Sequence, residues 1–262
     1  MPHAWPSRTL RAACAAAALL ACLAGPAVGQ ASPPLQVVTE ELPPYNMNAG
    51  GKVTGLSTEV VEAVLRDMGL EPRIQVMPWA RAYDLALHAD NVMIYSITRT
   101  PEREALFQWA GPIAPTRWFL FSAPGRPVPL ANLQEALDKR YQIATVNQDV
   151  GEQYLLSRQF AVGQTLQQSN HYDLNYQKLK QGHVDLWISD ELNAFYTART
   201  AGDDPQQSLH RSLELPELED GGFSVAFSLK TPAHTVDSFR AALQRLHTDG
   251  RYDAIKRKWL GP

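Results

Sequence analysis

Cysteine is almost missing from this chain: Cys14 and Cys22 are the only two in 262 residues. Everything after Cys22 therefore lacks a disulfide, a thiolate metal site and a cysteine nucleophile. No tract of Lys and Arg occurs, which argues against nucleic acid or an anionic membrane surface as a partner. The apolar stretch near the start, Ala12 to Leu23, has 12 residues, where a bilayer span needs about 20. Also missing are a Gly-rich phosphate loop, a serine–histidine–acid spacing and a cluster with metal-ligand spacing; the histidines are scattered. No metal or organic cofactor is expected on these grounds.

What is present begins with a leader. Arg8 and Arg11 precede the apolar stretch, and Gly25, Pro26 and small residues through Ala31 follow it. A basic start, a short apolar core and a small-residue end form a secretory signal over residues 1–31, so export to the periplasm is expected. Gly29 and Ala31 suit cleavage after Ala31, which leaves 231 residues. The alternative is a lipid-modified Cys22 preceded by Leu19-Leu20-Ala21, where bulky Leu20 fits poorly. After cleavage, 22 Lys and Arg stand against 27 Asp and Glu, a net charge of −5. A chain of that length buries roughly 70% or more of its unfolded surface and needs no covalent staple.

Beyond the leader, short apolar runs alternate with striped segments. Leu35 to Thr39 predicts a strand, stopped by Pro43-Pro44, and Gly50-Gly51 a turn. Ser57 or Thr58 is expected to cap a helix whose stripe is Val60, Val61, Val64, Leu65 and Met68. Ile74–Met77 and Val92–Ile97 read as strands on either side of a helix over Trp79–His88. This alternation implies α/β units around a parallel sheet. A passage rich in proline (Pro112, Pro115, Pro124, Pro127, Pro129) encloses a strand at Trp118–Phe121, and the pattern then restarts. Helices are expected at Leu130–Leu137, Gly151–Arg158 and around Tyr172, Tyr176 and Leu179, with strands at Tyr141–Val146 and Val184–Ile188. After a polar section over 202–219, a strand at Phe223–Leu229 precedes two helices. These carry Val236, Phe239, Leu243 and Leu246, then Tyr252, Ile255 and Trp259. The pattern implies two α/β lobes, each with its own sheet.

Five blocks, in order, carry a resemblance. They are Glu41-Leu-Pro-Pro-Tyr45; Gly55 to Glu59; Ser96-Ile-Thr-Arg-Thr-Pro-Glu-Arg103; Leu179 to Asp190, with Gly182, Val184 and Asp185 between; and Asp249 to Gly261, with Tyr252, Ile255, Lys258 and Trp259. Together they resemble the periplasmic solute-binding proteins that serve polar-amino-acid ABC transporters. The resemblance implies a two-lobed periplasmic-binding-protein-like α/β fold of type II, with two hinge crossings near residues 113–118 and 216–222. Residues 33–115 plus 220–262 would form the first lobe and 118–216 the second. It also implies an amino-acid-like ligand in the cleft between the lobes, a membrane permease as partner, and a monomer.

Arg103 is the leading candidate for the ligand carboxylate, because a guanidinium presents a planar fork of donors. Thr100-Pro101 reads as a cap and first helical residue, which would aim a helix N-terminus at the same anion. The resemblance places Ser96 and Thr98 as further donors, Tyr45 and Trp79 as aromatic walls, and Asp190, at a strand's carboxyl end, as acceptor for an α-ammonium. Trp118 and Trp187 flank these positions, and Leu42 stands where relatives often have an aromatic residue. Ordinary structural roles compete: a solvated Arg103 paired with Glu102 or Glu104, Asp190 as a helix cap, and tryptophans in the core. Where relatives usually have Gly-Thr, this chain has Gln148-Asp149. Either Asp149 caps the next helix and points away, or the ligand carries extra positive charge. Besides solute uptake, two other functions fit the fold. One is an exported cyclohexadienyl-dehydratase-like enzyme with Glu41 or Asp190 as acid; the other is a sensory protein without a transport role. Uptake, without catalysis, is the leading expectation.

Overall fold

The computed structural model describes residues 33–219 and 221–261, together with Met1 and His3. Residues 4–31 of the expected leader, both cysteines included, lie outside the described residues. The chain divides into two units at Pro33/Pro34, and the sheets and helices of the fold belong to the unit from Pro34 onward. Among the described residues no helix is long and apolar enough to cross a membrane.

Two five-stranded sheets organise this unit. The first comprises β1 (Gln36–Thr39), β4 (Ile74–Val76), β5 (Val92–Thr98), β6 (Phe107–Ala114) and β12 (Phe223–Ser228), in the order β4-β1-β5-β12-β6. β1 pairs in parallel with β4 and β5, with Val37 opposite both Ile74 and Met93. β12 runs antiparallel between β5 and β6. The second sheet holds β7 (Trp118–Ser122), β8 (Ile143–Val146), β9 (Leu166–Ser169), β10 (Leu186–Asp190) and β11 (His210–Glu214), in the order β11-β7-β10-β8-β9. Here β8, β9 and β10 are parallel, and β7 is antiparallel to β10 and β11. The expected parallel strands are present in both sheets, and each sheet adds one antiparallel strand to them. β7 and β12 are the strands by which the chain arrives from the other sheet, and each enters its sheet against the direction of the parallel strands. A hairpin of β2 (Met47–Ala49) and β3 (Lys52–Thr54) closes over Gly50-Gly51.

The first lobe's core is the stripe read from sequence. Helix α1 (Leu56–Asp67) lays Val60, Val61, Val64 and Leu65 beside Val236, Phe239 and Leu246 of helix α8 (Ala233–Thr248), over Met93, Tyr95 and Phe227 of the sheet. At ~25 cal/mol per Å² of apolar area, burying side chains of this size contributes about 1.5–3 kcal/mol each. The expected cap of α1 is corrected. Gly55 occupies the cap position, Ser57 and Thr58 lie within the first turn, and the carbonyls of Pro44 and Tyr45 receive the backbone N–H groups of Leu56, Ser57 and Thr58. Gly55 has φ 127°, and a Cβ there would overlap the Tyr45 carbonyl, so the loop closes over the helix only around glycine.

The chain passes between the sheets twice, from Ala114 to Trp118 and from Glu214 to Phe223. The two crossings touch at Gly222, φ 64°, where a Cβ would overlap the Ala114 carbonyl oxygen. Around the second sheet pack α3 (Leu133–Asp138), α4 (Val150–Leu156), α5 (Tyr172–Gln181), α6 (Glu191–Thr200) and α7 (Pro205–Ser208). In the first lobe, α2 (Trp79–His88) covers β5, and α9 (Arg251–Leu260) packs on α1 and α8.

Candidate functional site: a cavity between the two sheets

The carboxyl ends of the parallel strands of both sheets face each other, the place where open α/β sheets collect ligands. Arg103 lies there, 1% exposed, in the turn after β5. Its Nε donates to Gln153 Oε1 across the cleft (3.0 Å) and its Nη1 to the Thr98 carbonyl (3.1 Å). Its Nη2 has no partner. The guanidinium sits over the Tyr83 ring at 5.0 Å and the Trp79 ring at 5.7 Å. Glu104, the competing partner, instead binds Arg99, whose Nε lies 2.6 Å away. Burial draws the Arg103 pKa down from its ordinary value. The expected helix start at Thr100-Pro101 is corrected: Arg103 N–H closes a turn onto the Thr100 carbonyl, and only a short 3-10 helix, Glu104–Leu106, follows. The chain must re-enter the sheet as β6 at Phe107, which leaves no room for an α-helix or its dipole.

Thr98 is buried, with its Oγ1 unpartnered. Ser96 is committed elsewhere, its hydroxyl donating to Asn46 Oδ1 (2.5 Å) while Asn46 Nδ2 donates to the Glu40 carbonyl. Trp79 is buried; its Nε1 donates to the Gln148 carbonyl (2.8 Å), tying the lobes together. Trp118 is buried with an unpartnered Nε1. Trp187 belongs to the second lobe's core, against Phe121 and Tyr176. Leu42 is buried and bonds through its backbone to Tyr45 and Asn46.

Asp190 takes the competing role of a helix cap. Its Oδ1 accepts from the backbone of Leu192 (3.0 Å) and Asn193 (3.2 Å) and from Tyr45 Oη (2.7 Å); its Oδ2 accepts from Arg117 N–H (2.9 Å). Burial pushes its carboxyl up to about 6 against the pull of those bonds. Tyr45 thus bridges the lobes at the first crossing, its hydroxyl also 3.0 Å from the Pro115 carbonyl.

Asp149 caps α4 with one oxygen only. Oδ1 accepts from Glu152 N–H (2.7 Å), whereas Oδ2 is buried without a partner. Both readings of the Gln148-Asp149 departure therefore stay compatible with the structure. Burial raises its carboxyl to about 7. Glu40, just after β1, went unnoticed in the sequence; it is 4% exposed, with Tyr172 Oη 3.4 Å from its Oε1. Desolvation and then the charge of Asp149 raise its pKa well above the ordinary carboxylate range.

Arg103, Thr98, Trp118, Asp149, Glu40 and Tyr172 all line one cavity between the sheets, with Ser96, Trp79, Val150 and Phe223 completing its wall. At about 10 Å³ it admits roughly one water molecule, so a solute the size of an amino acid enters only when the lobes part. Tyr45 and Asp190 stand outside this wall. Four buried polar atoms on its lining residues lack partners: Arg103 Nη2, Thr98 Oγ1, Asp149 Oδ2 and Trp118 Nε1. Unpaired buried groups cost about 1–3 kcal/mol each, and four of them on the lining of one cavity make it a candidate binding site.

Comparison with known proteins agrees with this architecture. The model of "Bacterial extracellular solute-binding proteins, family 3" matches residues 35–262. No match is found among curated proteins. Solved structures that share the fold include a histidine kinase sensor domain with similarity to periplasmic binding proteins (20% identity, 87% of this chain and 96% of that one, TM-score 0.75). An ancestral arginine-binding protein bound to arginine is similar as well (19%, 87% and 98%, TM-score 0.74). So is an ancestral amino-acid-binding protein described as a precursor of cyclohexadienyl dehydratase (15%, 86% and 94%, TM-score 0.69). One fold thus serves sensors, binders and the forerunner of an enzyme, so function has to be argued from the site.

Proposed function

We propose, since the chain belongs to the bacterial extracellular solute-binding proteins of family 3, that it captures a small amino-acid-like solute between its lobes in the periplasm and delivers it to the permease of an ABC transporter. The observation that carries this reading is the set of four unpartnered polar atoms on a single interlobe cavity. Opening exposes them and closure around a solute satisfies them, with Arg103 Nη2 and Thr98 Oγ1 donating to a carboxylate. Charge-assisted bonds of that kind are worth about 1.5–3 kcal/mol each. Export rests on the leader over residues 1–31.

Catalysis finds less support. Glu41 is exposed and accepts from the Asn48 backbone, and Asp190 spends its oxygens on the α6 cap and the lobe-bridging bonds. Thermal-shift screening against amino acids, amines and small acids tests the binding reading, since a bound ligand stabilises by RT ln(1 + [L]/Kd). The ligand so found should bind Arg103→Ala about tenfold to a hundredfold more weakly. Undiminished binding to a folded Arg103→Ala protein would remove Arg103 from the site. Consumption of a screened acid would replace binding by catalysis.

A further inference from the structure

We propose that the positive group of the ligand is held between Glu40 of the first lobe and Asp149 of the second, and that this pair selects an amino-acid-like solute of net positive charge. The inference rests on the solute-binding reading and adds the charge of the solute to it.

Three ionisable side chains line the cavity, Arg103, Glu40 and Asp149, at 1%, 4% and 3% exposure. Among the described residues none of the three makes a contact ion pair. Arg103 spends two nitrogens on neutral oxygens, those of Gln153 and Thr98. Asp149 Oδ2 is unpartnered, and Glu40 has only a long contact to Tyr172. Asp190, the acid that a resemblance alone would give to an ammonium, already accepts three bonds on Oδ1 and one on Oδ2 and lies outside the cavity wall.

Charge balance then decides the class. Two carboxylates against one guanidinium leave one negative charge in excess, in a space too dry to screen it. A proton can neutralise that excess, or a ligand cation can. The charge of Asp149 and of Glu41 opposes ionisation of Glu40, and Glu152 opposes that of Asp149. Arg103 works against both effects, and Tyr172 faces both acids. Glu152 is itself held by Thr145 Oγ1 and Gln148 N–H, so it is not available to a ligand. An ammonium or guanidinium seated between Glu40 and Asp149 therefore displaces the proton they would otherwise keep. Trp79, Trp118 and Tyr172 also line the cavity, and aromatic rings beside a cation add to its binding. With a carboxylate on Arg103 Nη2, the complementary solute has one negative and two positive groups, as a basic amino acid does.

Calorimetric titration tests this with L-lysine and L-arginine against their uncharged analogues L-norleucine and L-citrulline, on the wild type, Glu40→Gln, Asp149→Asn and Arg103→Ala. Asn at 149 can still cap α4, so that variant should fold, and its thermal transition checks this. The basic amino acids should bind at least about tenfold tighter than their analogues. Their affinity should rise between about pH 6 and pH 8, and buffers of different ionisation enthalpy should report protons released on binding. Glu40→Gln and Asp149→Asn should each remove most of the preference of the basic amino acids over their uncharged analogues. Equal binding of lysine and norleucine, or lysine affinity surviving in both acid variants, would overturn the acid-pair assignment and leave solute binding intact. If no amino acid binds the wild type, solute binding itself falls and the inference with it. Should Asp149→Asn not fold, Glu40→Gln and the paired ligands decide.

Discussion

Three carboxyl groups buried near the cleft shift in the same direction, and that common sign sets the pH response of the protein. Asp149 titrates at about 7 and Asp190 at about 6, both raised from near 3.8, and Glu40 is raised well above its ordinary 4.5. Burial is the first cause in each case. Between the unfolded and folded pKa values the folded chain holds protons that the unfolded chain has lost. Stability is therefore fully present below about pH 4 as far as these groups are concerned, and declines as pH rises to about 7. Urea unfolding should show a loss on the order of a few kcal/mol from about pH 5 to pH 8. Asp149→Asn, which keeps the cap and removes the titration, should flatten part of that slope. A profile rising with pH, or one unchanged in the variant, would contradict the burial argument. Arg103 separates charge from geometry at the same scale. Arg103→Lys keeps a cation but loses the fork that serves Gln153, Thr98 and a ligand together, so calorimetry should place its affinity between wild type and Arg103→Ala. Affinity equal to wild type would mean that charge alone matters there.

At the scale of elements, legibility in the sequence followed burial. Helices with a one-sided stripe over a sheet, α1, α2 and α8, were readable from periodicity, as were the central strands β1, β5 and β12. Of the edge strands, β4 was read as Ile74–Met77, whereas β6, β9 and β11 were not. β6 carries Gly111 and Pro112, and β11 and β9 are polar (His-Arg-Ser-Leu-Glu and Leu-Gln-Gln-Ser). Each lies at the end of its sheet, where one unpaired side tolerates proline and polar residues. The site was half legible for a related reason. Arg103, Thr98 and Trp79 stand at ends of strongly patterned elements, but Glu40 reads as a surface acid beside Glu41 until the second lobe covers it. The roles of Asp149 and Asp190 likewise depend on which of their oxygens the helix caps consume. The crossings show what one residue does for an element. Gly221 and Gly222 both have positive φ, 75° and 64°, but only at Gly222 does a Cβ meet backbone, the Ala114 carbonyl of the other crossing. Gly221→Ala bears the left-handed conformation alone; Gly222→Ala must also push the crossings apart. Unfolding free energies should show the second variant about 1–3 kcal/mol below the first. Equal losses would mean that the crossings yield freely.

For the whole molecule, the decisive balance lies between the open and closed arrangements of the lobes, and side chains that bond across the cleft, Tyr172 to Glu40 among them, hold it closed. Tyr45 Oη binds Asp190, Trp79 Nε1 binds the Gln148 carbonyl, Arg103 Nε binds Gln153, and Asn193 Nδ2 binds the Pro43 carbonyl. A neutral hydrogen bond contributes about 0.5–1.5 kcal/mol net, and one to a carboxylate up to about 3. Tyr45→Phe removes the bond to Asp190 without emptying its acceptors, because the Leu192 and Asn193 amides remain. Trp79→Phe leaves the Gln148 carbonyl bound by Gln153 Nε2. Neither change strands a buried group, so the lost energy should appear chiefly as a shift toward the open form. About 1 kcal/mol corresponds to roughly fivefold in the open-to-closed ratio. Small-angle scattering should therefore give a larger radius of gyration for the Tyr45→Phe/Trp79→Phe protein than for wild type. At saturating ligand the two should coincide, because a solute bound by both lobes restores closure. Affinity in the double variant should fall by the same factor as the opening equilibrium rises. If the radius is unchanged while affinity falls, these side chains touch the ligand and do not latch the lobes. If both stay unchanged, closure is held by the apolar contacts alone.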